Sequence, residues 1–450
     1  MNSTSSPDIN EQNDTGSDDD LGTRRCALDL LDTVLRKRNA LDVALNNSSD
    51  FATLQPRDRA FTRMLLTTTI RRLGQIDDLI AQALDRPDSI KTEIILNILR
   101  LGVTQLFFMK VPDHASVDTC VRLVEEKGLS RQKGFVNAVL RTLGRTGQQR
   151  LEKQDAPRLN TPDWLLKIWI ADYGLTTAAQ IAESHMSEAP LDITVKNIDD
   201  RPYWGNVLQA SELSTGTLRR IIGGNIRDMD GFDDGKWWIQ DAAAAIPALL
   251  FGDIQGQHVI DLCAAPGGKT LQLASFGATV TAIDRSAKRL KRLEENLERM
   301  QLKEHVQVEV SDAAAWKAVD APAKILLDAP CSATGTIRRH PDTAYLKSPK
   351  DIEGLVSIQK RLLNRAAEVL APDGVLVYCT CSIQKDEGER QIEEFLQTHP
   401  NFERAPITPH EIGDYDELIN ENGDLRILPF HLSGQGGIDG FFISRLKKIN

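Results

Sequence analysis

The sequence predicts a multidomain chain in which an all-α bundle is followed by an α/β domain built on a parallel sheet. Three observations point there. At 450 residues the chain exceeds one ordinary core. From about Arg24 to Gly144, apolar residues recur at three-, four- and seven-residue spacing with no alternating run. From about Trp237 onward, short apolar strands alternate with amphipathic helices.

Composition narrows the class. Hydrophobic residues at 41% and charged residues at 26% are those of a soluble globular protein. The sequence has no run of eighteen apolar residues, so no membrane partner is expected. Residues 1–20 are polar and acidic, which excludes a secretory signal there. The six cysteines fall at positions 26, 120, 263, 331, 379 and 381, without disulfide-scaffold spacing, as suits a reducing cytosol. A net charge of −10 argues against a polyanionic partner, but its distribution does not. Residues 1–20 carry six acidic and no basic side chains, whereas residues 21–150 carry 21 Lys and Arg against 14 Asp and Glu. A basic module joined to an acidic one suggests that RNA phosphates dock on the N-terminal half; an ordinary Arg-rich helix surface accounts for it equally well.

The elements follow in order. Residues 1–20, rich in Ser, Asn and Asp, read as a disordered acidic tail. Residues 21–146 read as helices whose inner faces carry Leu28, Leu31 and Leu35, then Phe61, Leu65 and Thr68. Later helices carry Ile95, Leu99 and Leu106, then Val117, Val121 and Val124, and last Phe135, Val139 and Leu143. Residues 147–162, with two prolines, read as a linker. The stretch 147–235 as a whole reads as linker plus a small mixed α/β RNA-binding subdomain, with a strand near Leu191 to Lys196. Residues 236–450 form the α/β domain, with strands at 259–262, 279–284, 306–310, 324–327 and 375–378. Ligands of such a sheet bind beyond the carboxyl ends of its strands.

The run Asp261-Leu262-Cys263-Ala264-Ala265-Pro266-Gly267-Gly268-Lys269-Thr270 leaves the first of these strands and opens a helix. Its glycines admit a ligand close to the backbone, and the helix N-terminus favours an anion such as a phosphate or a carboxylate. Asp284, ending the second strand, is placed for ribose hydroxyls, and Asp312, after the third, for an adenine edge. A P-loop would need Gly at position 263, and a dinucleotide fingerprint would need a third spaced Gly. The bland alternative is a Gly-rich turn without a ligand.

This run resembles the S-adenosylmethionine motif of RNA cytosine-C5 methyltransferases. From Arg24 to Lys448 the chain resembles the bacterial 16S rRNA methyltransferase B family. Arg57-Asp58-Arg59-Ala60-Phe61, Ile98-Leu99-Arg100-Leu101-Gly102 and Gly134-Phe135-Val136-Asn137 are similar to the antitermination factor NusB, and Asp439-Gly440-Phe441-Phe442 also matches the family. The resemblance implies an all-α NusB-like bundle followed by a Rossmann-like class I methyltransferase domain. It also implies S-adenosyl-L-methionine as cofactor, held by residues 263–269, Asp284, Asp312 and Asp328. The partner it implies is 16S rRNA or an assembling small-subunit precursor, and the reaction is methyl transfer to C5 of one specific cytosine.

C5 of cytosine is too weak a nucleophile to attack a sulfonium methyl until a thiolate adds at C6. By resemblance Cys381 attacks, Asp328 contacts the base edge and Cys331 assists proton removal and release. Cys379 sits one pleat deeper than Cys381 and is assigned to packing. Buried core cysteines are the bland alternative. A zinc site from Cys331, Cys379 and Cys381 lacks a well-spaced fourth ligand, so no metal is expected. Arg338 and Arg339 are placed either to clamp phosphates beside the target base or to form a solvated turn. Ala245, Gly388, Lys196 and Cys379 depart from the family pattern and bear on RNA fit and packing. A tRNA or other RNA target, or a non-catalytic RNA-binding or antitermination protein, are the competing functions. The oligomeric state is not readable from the sequence.

Overall fold

The computed structural model describes residues 16–84, 86, 89–90, 92–221, 224 and 226–449, with side chains from residue 21 onward. The chain divides into two compact units, Met1–Asn160 and Thr161–Asn450. The acidic tail falls largely on residues 1–15, outside the described residues; from Gly16 the backbone is already helical.

The first unit is all helix. Its main members are Gly16–Leu35, Leu41–Asn47, Pro56–Arg71, Leu73–Gln82, Glu93–Val103, Asp113–Glu126 and Lys133–Leu151. The periodic residues face one core: Leu28, Leu31, Leu65, Ile95, Leu99, Val117, Val124, Val139 and Leu143 are buried. Leu35, Phe61, Thr68, Leu106, Val121 and Phe135 flank it half-buried. Local chemistry sets the helix starts: Pro56 occupies the first turn of its helix, and the Thr92 side chain accepts from the backbone N–H of Ile95. Arg100 ties two helices together through a two-pronged pair with Asp77 at 2.7 and 2.8 Å.

Residues 147–162 do not run free as a linker. Residues 147–151 are the last turns of Lys133–Leu151, and Ala156–Asn160 forms a short helix. Asn160 then accepts from the Gln75 backbone N–H at 3.0 Å and donates to the Gln75 side chain at 2.9 Å. Two prolines mark a break in periodicity, but this buried amide pairing ties the segment back to the bundle.

The second unit begins with the helix Asp163–Ser184, broken at Gly174 where φ is 79°. A four-stranded antiparallel sheet follows, built from β1 (Leu191–Val195), β2 (Ser211–Glu212), β3 (Leu218–Arg220) and β4 (Trp237–Ile239) in the order β2-β3-β1-β4. The larger sheet contains β5 (His258–Leu262), β6 (Thr279–Asp284), β7 (Val306–Val310), β8 (Lys324–Asp328) and β9 (Val375–Thr380), all parallel. Three strands absent from the sequence reading join it antiparallel: β10 (Phe402–Arg404), β11 (Leu425–Ile427) and β12 (Phe441–Lys448). β10 follows the helix Glu389–Thr398 but is only three residues long, and no α-helix separates β10, β11 and β12, so the pattern that identified β5 to β9 did not reveal them.

The path through the larger sheet is β10-β12-β9-β8-β5-β6-β7, with β11 beside β12. Alternate residues serve two cores. Val259, Val280, Ala282, Leu326, Val377 and Cys379 pack on one face, and Ile260, Ile283, Ile325, Leu327, Leu376 and Tyr378 on the other. Helices on both faces explain why these strands read as near-continuous apolar runs.

A buried ion pair joins the small sheet to the C-terminal segment. Arg219 donates twice to Asp192, at 2.7 Å each, and also to the carbonyls of Gln435 and Gly437. Both charged side chains are almost fully enclosed. Removing one partner leaves the other charge buried, which costs roughly 3–5 kcal/mol. Arg219→Met should therefore lose stability of that order in urea unfolding. A loss below roughly 1 kcal/mol would show that the pair does not hold these segments together.

Candidate active site

The strand order places β5 at the centre, with β6 on one side and β8 on the other. Chain direction around the sheet reverses between β5 and β8, and the loops after β5, β6, β8 and β9 all leave from the same edge, where open α/β sheets bind ligands. The cofactor and catalytic residues expected from the sequence lie at those strand ends, on the loops and helix start that follow them, or on the loop after β7.

The loop after β5 is shaped by two left-handed residues, Cys263 at φ 64° and Gly267 at φ 106°. A Cβ on Gly267 would lie 2.1 Å from Leu293 Cδ1, so both conformation and space require glycine there. Below the loop, fully buried Asp261 accepts from Thr270 Oγ1 at 2.5 Å. Burial, reinforced by Asp328 and Asp284 and only partly offset by Thr270, pushes its carboxyl up to about 7. Asp284 ends β6 buried at 3% exposure and accepts from the backbone N–H groups of Ala265 at 3.3 Å and Ser286 at 2.9 Å. Arg289 bridges this corner, pairing with Asp284 and donating to the Ala265 carbonyl. Residues 263–269 and Asp284 thus form one connected cradle. Asp312 joins it only through the backbone, as Ser311 N–H donates to the Asp284 carbonyl. Its exposed carboxylate accepts from Ala314 N–H and is not drawn inward.

A cradle with a buried carboxylate at a strand end and the first-turn N–H groups of the helix Gly268–Ser275 fits a nucleoside that carries a ribose diol and a carboxylate.

The reactive side chains sit beside it. Asp328, at the end of β8, accepts from Lys269 Nζ at 2.8 Å and from Cys379 Sγ at 3.5 Å. Burial alone would lower the Lys269 ammonium, but Asp328 outweighs it and holds the lysine charged. Cys379 pairs in register with Asp328 and is wholly enclosed, so it packs as read and also donates to the carboxylate. Its thiol is pushed well above its ordinary range by burial and then by Asp328. Cys331 and Cys381, from the loops after β8 and β9, lie 3.3 Å apart, sulfur to sulfur. The hydrogen bond to Cys381, with burial second, keeps the Cys331 thiol protonated far above its usual range. Among the described residues no cluster of three or more His, Cys, Asp or Glu is arranged to hold a metal ion.

Close packing holds the two cysteine loops. Gly335 N–H donates to the Cys381 carbonyl at 3.1 Å, and Gly440 N–H donates to the Gly335 carbonyl at 2.8 Å. A Cβ on Gly335 would sit 1.9 Å from the Gly440 carbonyl oxygen. Arg426 donates to the Ser382 carbonyl at 2.7 Å and lies over Phe442, while Tyr173 donates to the Ile383 carbonyl at 2.6 Å. At Gly388 a Cβ would meet Arg426 Nη2 at 2.4 Å, so the missing side chain makes room for that guanidinium. Lys196 donates to the Met300 carbonyl, and Ala245 is buried with its carbonyl taken by Gln272.

The structure corrects one reading and adds one residue. Arg338 and Arg339 are neither phosphate clamps nor a solvated turn. Arg338 is 1% exposed and donates to the carbonyls of Gly436 and Ile438. Arg339 bridges Asp439 at 2.9 Å and Asp241 at 2.6 Å. Enclosed carboxylates and carbonyls consume both guanidinium groups, and local sequence cannot display partners a hundred residues away. The added residue is Glu387, fully buried against both cysteine loops. In the sequence it stands six positions after Cys381, between Asp386 and Gly388, the latter one of the departures from the family pattern.

Residues 248–447 match the family described as 16S rRNA methyltransferase RsmB/F, and residues 22–145 match the NusB family. The chain is 33% identical to ribosomal RNA small subunit methyltransferase B of Vibrio cholerae, over 88% of this chain and 91% of that one. It is also 33% identical to the protein of that name from Pseudomonas putida, over 95% and 99%. The crystal structure of PH0851 superposes with a TM-score of 0.75 at 23% identity, covering 96% of this chain and 98% of the other, a likeness of fold.

Asp261 supplies a pH test. Its folded-state carboxyl titrates near 7, above the roughly 3.9 of an unfolded aspartate, so its contribution to stability is complete below about pH 4 and drains away as pH rises through 7. Each unit of that window is worth about 1.4 kcal/mol at most. Asp261→Asn keeps an acceptor for Thr270 and removes the titration. Its stability relative to the parent should rise steadily from pH 4 to pH 8 in denaturant titrations; a constant difference would contradict the assignment.

Proposed function

The chain belongs to the ribosomal RNA small subunit methyltransferase B family of S-adenosylmethionine-dependent enzymes, and on that premise we propose that it methylates C5 of one specific cytosine in 16S rRNA through a covalent Cys381 adduct. The observation that carries this reading is the placement of the Cys331 and Cys381 sulfurs 3.3 Å apart, on strand-end loops beside Asp328 and the β5 cradle. Residues 263–269, Asp284 and Asp328 would hold the cofactor, with Asp312 at its exposed rim, and the cofactor would supply a methyl group on a sulfonium.

The chain's own groups do the rest. Cys381, as thiolate, adds to C6 and shifts electron density to C5, which takes the methyl group. Asp328 accepts from the exocyclic amino group and fixes the base edge against Lys269. Once the Cys381 sulfur is committed to carbon, the hydrogen bond that most strongly kept Cys331 protonated is gone, and burial and the Glu387 charge are what still oppose its ionisation. Cys331, partly open to solvent, gives its proton to water and as thiolate takes the one on C5. That electron pair restores the C5–C6 double bond and expels Cys381. Because the sulfur must reach the ring face, the cytosine has to be unstacked.

The helical unit, with its excess of basic residues over 21–150, docks the RNA backbone, aided by the small sheet region. The substrate is 16S rRNA or an assembling small-subunit precursor. Among the described residues no helix is long and apolar enough to cross a membrane.

Cys381→Ala should reduce methyl transfer to a 16S rRNA transcript to background while cofactor binding, followed by equilibrium dialysis, is unchanged. Residual turnover near the parent rate would reassign the nucleophile. Cys331→Ser should trap protein on RNA, visible as a slowly migrating band on denaturing gels; no trapped species under turnover conditions would remove Cys331 from release. Bisulfite sequencing of RNA from cells with and without the protein should lose one 16S signal, and a signal lost from tRNA instead would move the substrate.

A further inference from the structure

We propose that Glu387 is the positioning residue that sets the separation of the two thiols. Its carboxylate is fully enclosed and takes four hydrogen bonds from three segments. One oxygen accepts from the Ser332 backbone N–H and from Gln359 Nε2, both at 2.9 Å. The other accepts from Ser332 Oγ at 2.5 Å and Ser382 Oγ at 2.6 Å. Ser332 follows Cys331 and Ser382 follows Cys381, so a single carboxylate grips each cysteine loop one residue from its sulfur. The Ser332, Ser382 and Thr334 hydroxyl oxygens lie 3.1 to 3.2 Å from one another; with both serine protons given to Glu387, Thr334 Oγ1 donates to one of the serines and closes the bridge between the loops.

Glu387 is itself anchored to the strand that carries the nucleophile. Its backbone carbonyl accepts from Tyr378 Oη at 2.9 Å and Thr380 Oγ1 at 3.2 Å, both on β9. The carboxylate is satisfied by neutral donors, and among the described residues no basic side chain pairs with it. An enclosed charge without a counter-ion is unfavourable compared with an amide or an apolar group of similar size. What a carboxylate offers here is acceptor capacity at two oxygens, matching donors that converge from two loops. Its charge also lies close enough to Cys331 to reinforce, behind the Cys381 hydrogen bond and burial, the protonated state of that thiol.

The inference concerns the spacing of the sulfurs and rests on the proposed pairing of Cys381 with Cys331 for its catalytic meaning. Spacing can be read without catalysis. Diamide takes two hydrogen atoms from a close thiol pair, leaving a disulfide and the reduced hydrazine. The parent protein should form a Cys331–Cys381 disulfide, identified by peptide mass mapping. Glu387→Gln, close in shape but lacking the second acceptor oxygen, should form it about tenfold more slowly, the rate equivalent of one charge-assisted hydrogen bond. Ser382→Ala, which cuts only one arm, should fall between them and serves if the first variant does not fold. In methyl transfer, both variants should lower kcat with the cofactor KM unchanged, and both should raise the fraction of protein trapped on RNA. A merely structural role would lower the active fraction without changing that trapped fraction. Disulfide formation at the parent rate in a folded variant would overturn the inference. Absence of trapping in Cys331→Ser, with slowed oxidation in Glu387→Gln, would instead overturn the release role and leave the spacing role standing.

Discussion

The register between β8 and β9 is the constraint on which this site depends. Parallel pairing opposes Asp328 to Cys379, so each strand ends at the same height and the loops that carry Cys331 and Cys381 leave side by side. A slip of β9 by one residue would turn Cys379 and Cys381 to the face opposite Asp328. The alternation of the two cores prevents it. Leu326 and Val377 belong to one side, Leu327 and Tyr378 to the other, and neither set tolerates exchange.

Around that register the protein concentrates charge where water is scarce. Asp261, Asp284, Asp328 and Glu387 all approach the strand ends, with Lys269 the buried cation among them. A cluster of this kind is unfavourable unless each carboxylate finds donors, and each does: Thr270 for Asp261, backbone N–H groups for Asp284, Lys269 for Asp328, and serine and glutamine for Glu387. The network fixes side chains that would otherwise sample many rotamers and so holds the strand-end groups in a set arrangement. The C-terminal strands extend this logic. Backbone contact between Gly335 and Gly440, with Arg426 between Ser382 and Phe442, packs the end of the chain directly against the cysteine loops.

Elements with a strong repeating pattern were legible in advance: the helical bundle, β5 to β9, and the loop from Asp261 to Thr270. The positions of Cys381, Cys331 and Asp328 at strand ends were legible because their motifs resemble those of a known family and follow predicted strands. The three antiparallel strands were not, since β10 and β11 are three residues long and no α-helix separates β10, β11 and β12. Nor was the return of Asn160 to Gln75, because a polar segment with prolines looks the same whether or not a distant amide captures it. Arg338 and Arg339 show the same gap. A pair of arginines after a catalytic loop reads as an anion site until Asp241, Asp439 and the carbonyls of residues 436 and 438 are seen to enclose it.

The sequence by itself determined the class of fold, the order of its parts and which side chains stand at the strand ends, because these follow from periodicity and from residue type at short range. Tertiary structure alone decided which charges meet: that two cysteines fifty residues apart come within 3.3 Å, that Cys379 touches Asp328, and that Glu387 grips both loops. Such contacts depend on strand order and register, and those are properties of the folded sheet rather than of any local stretch of chain.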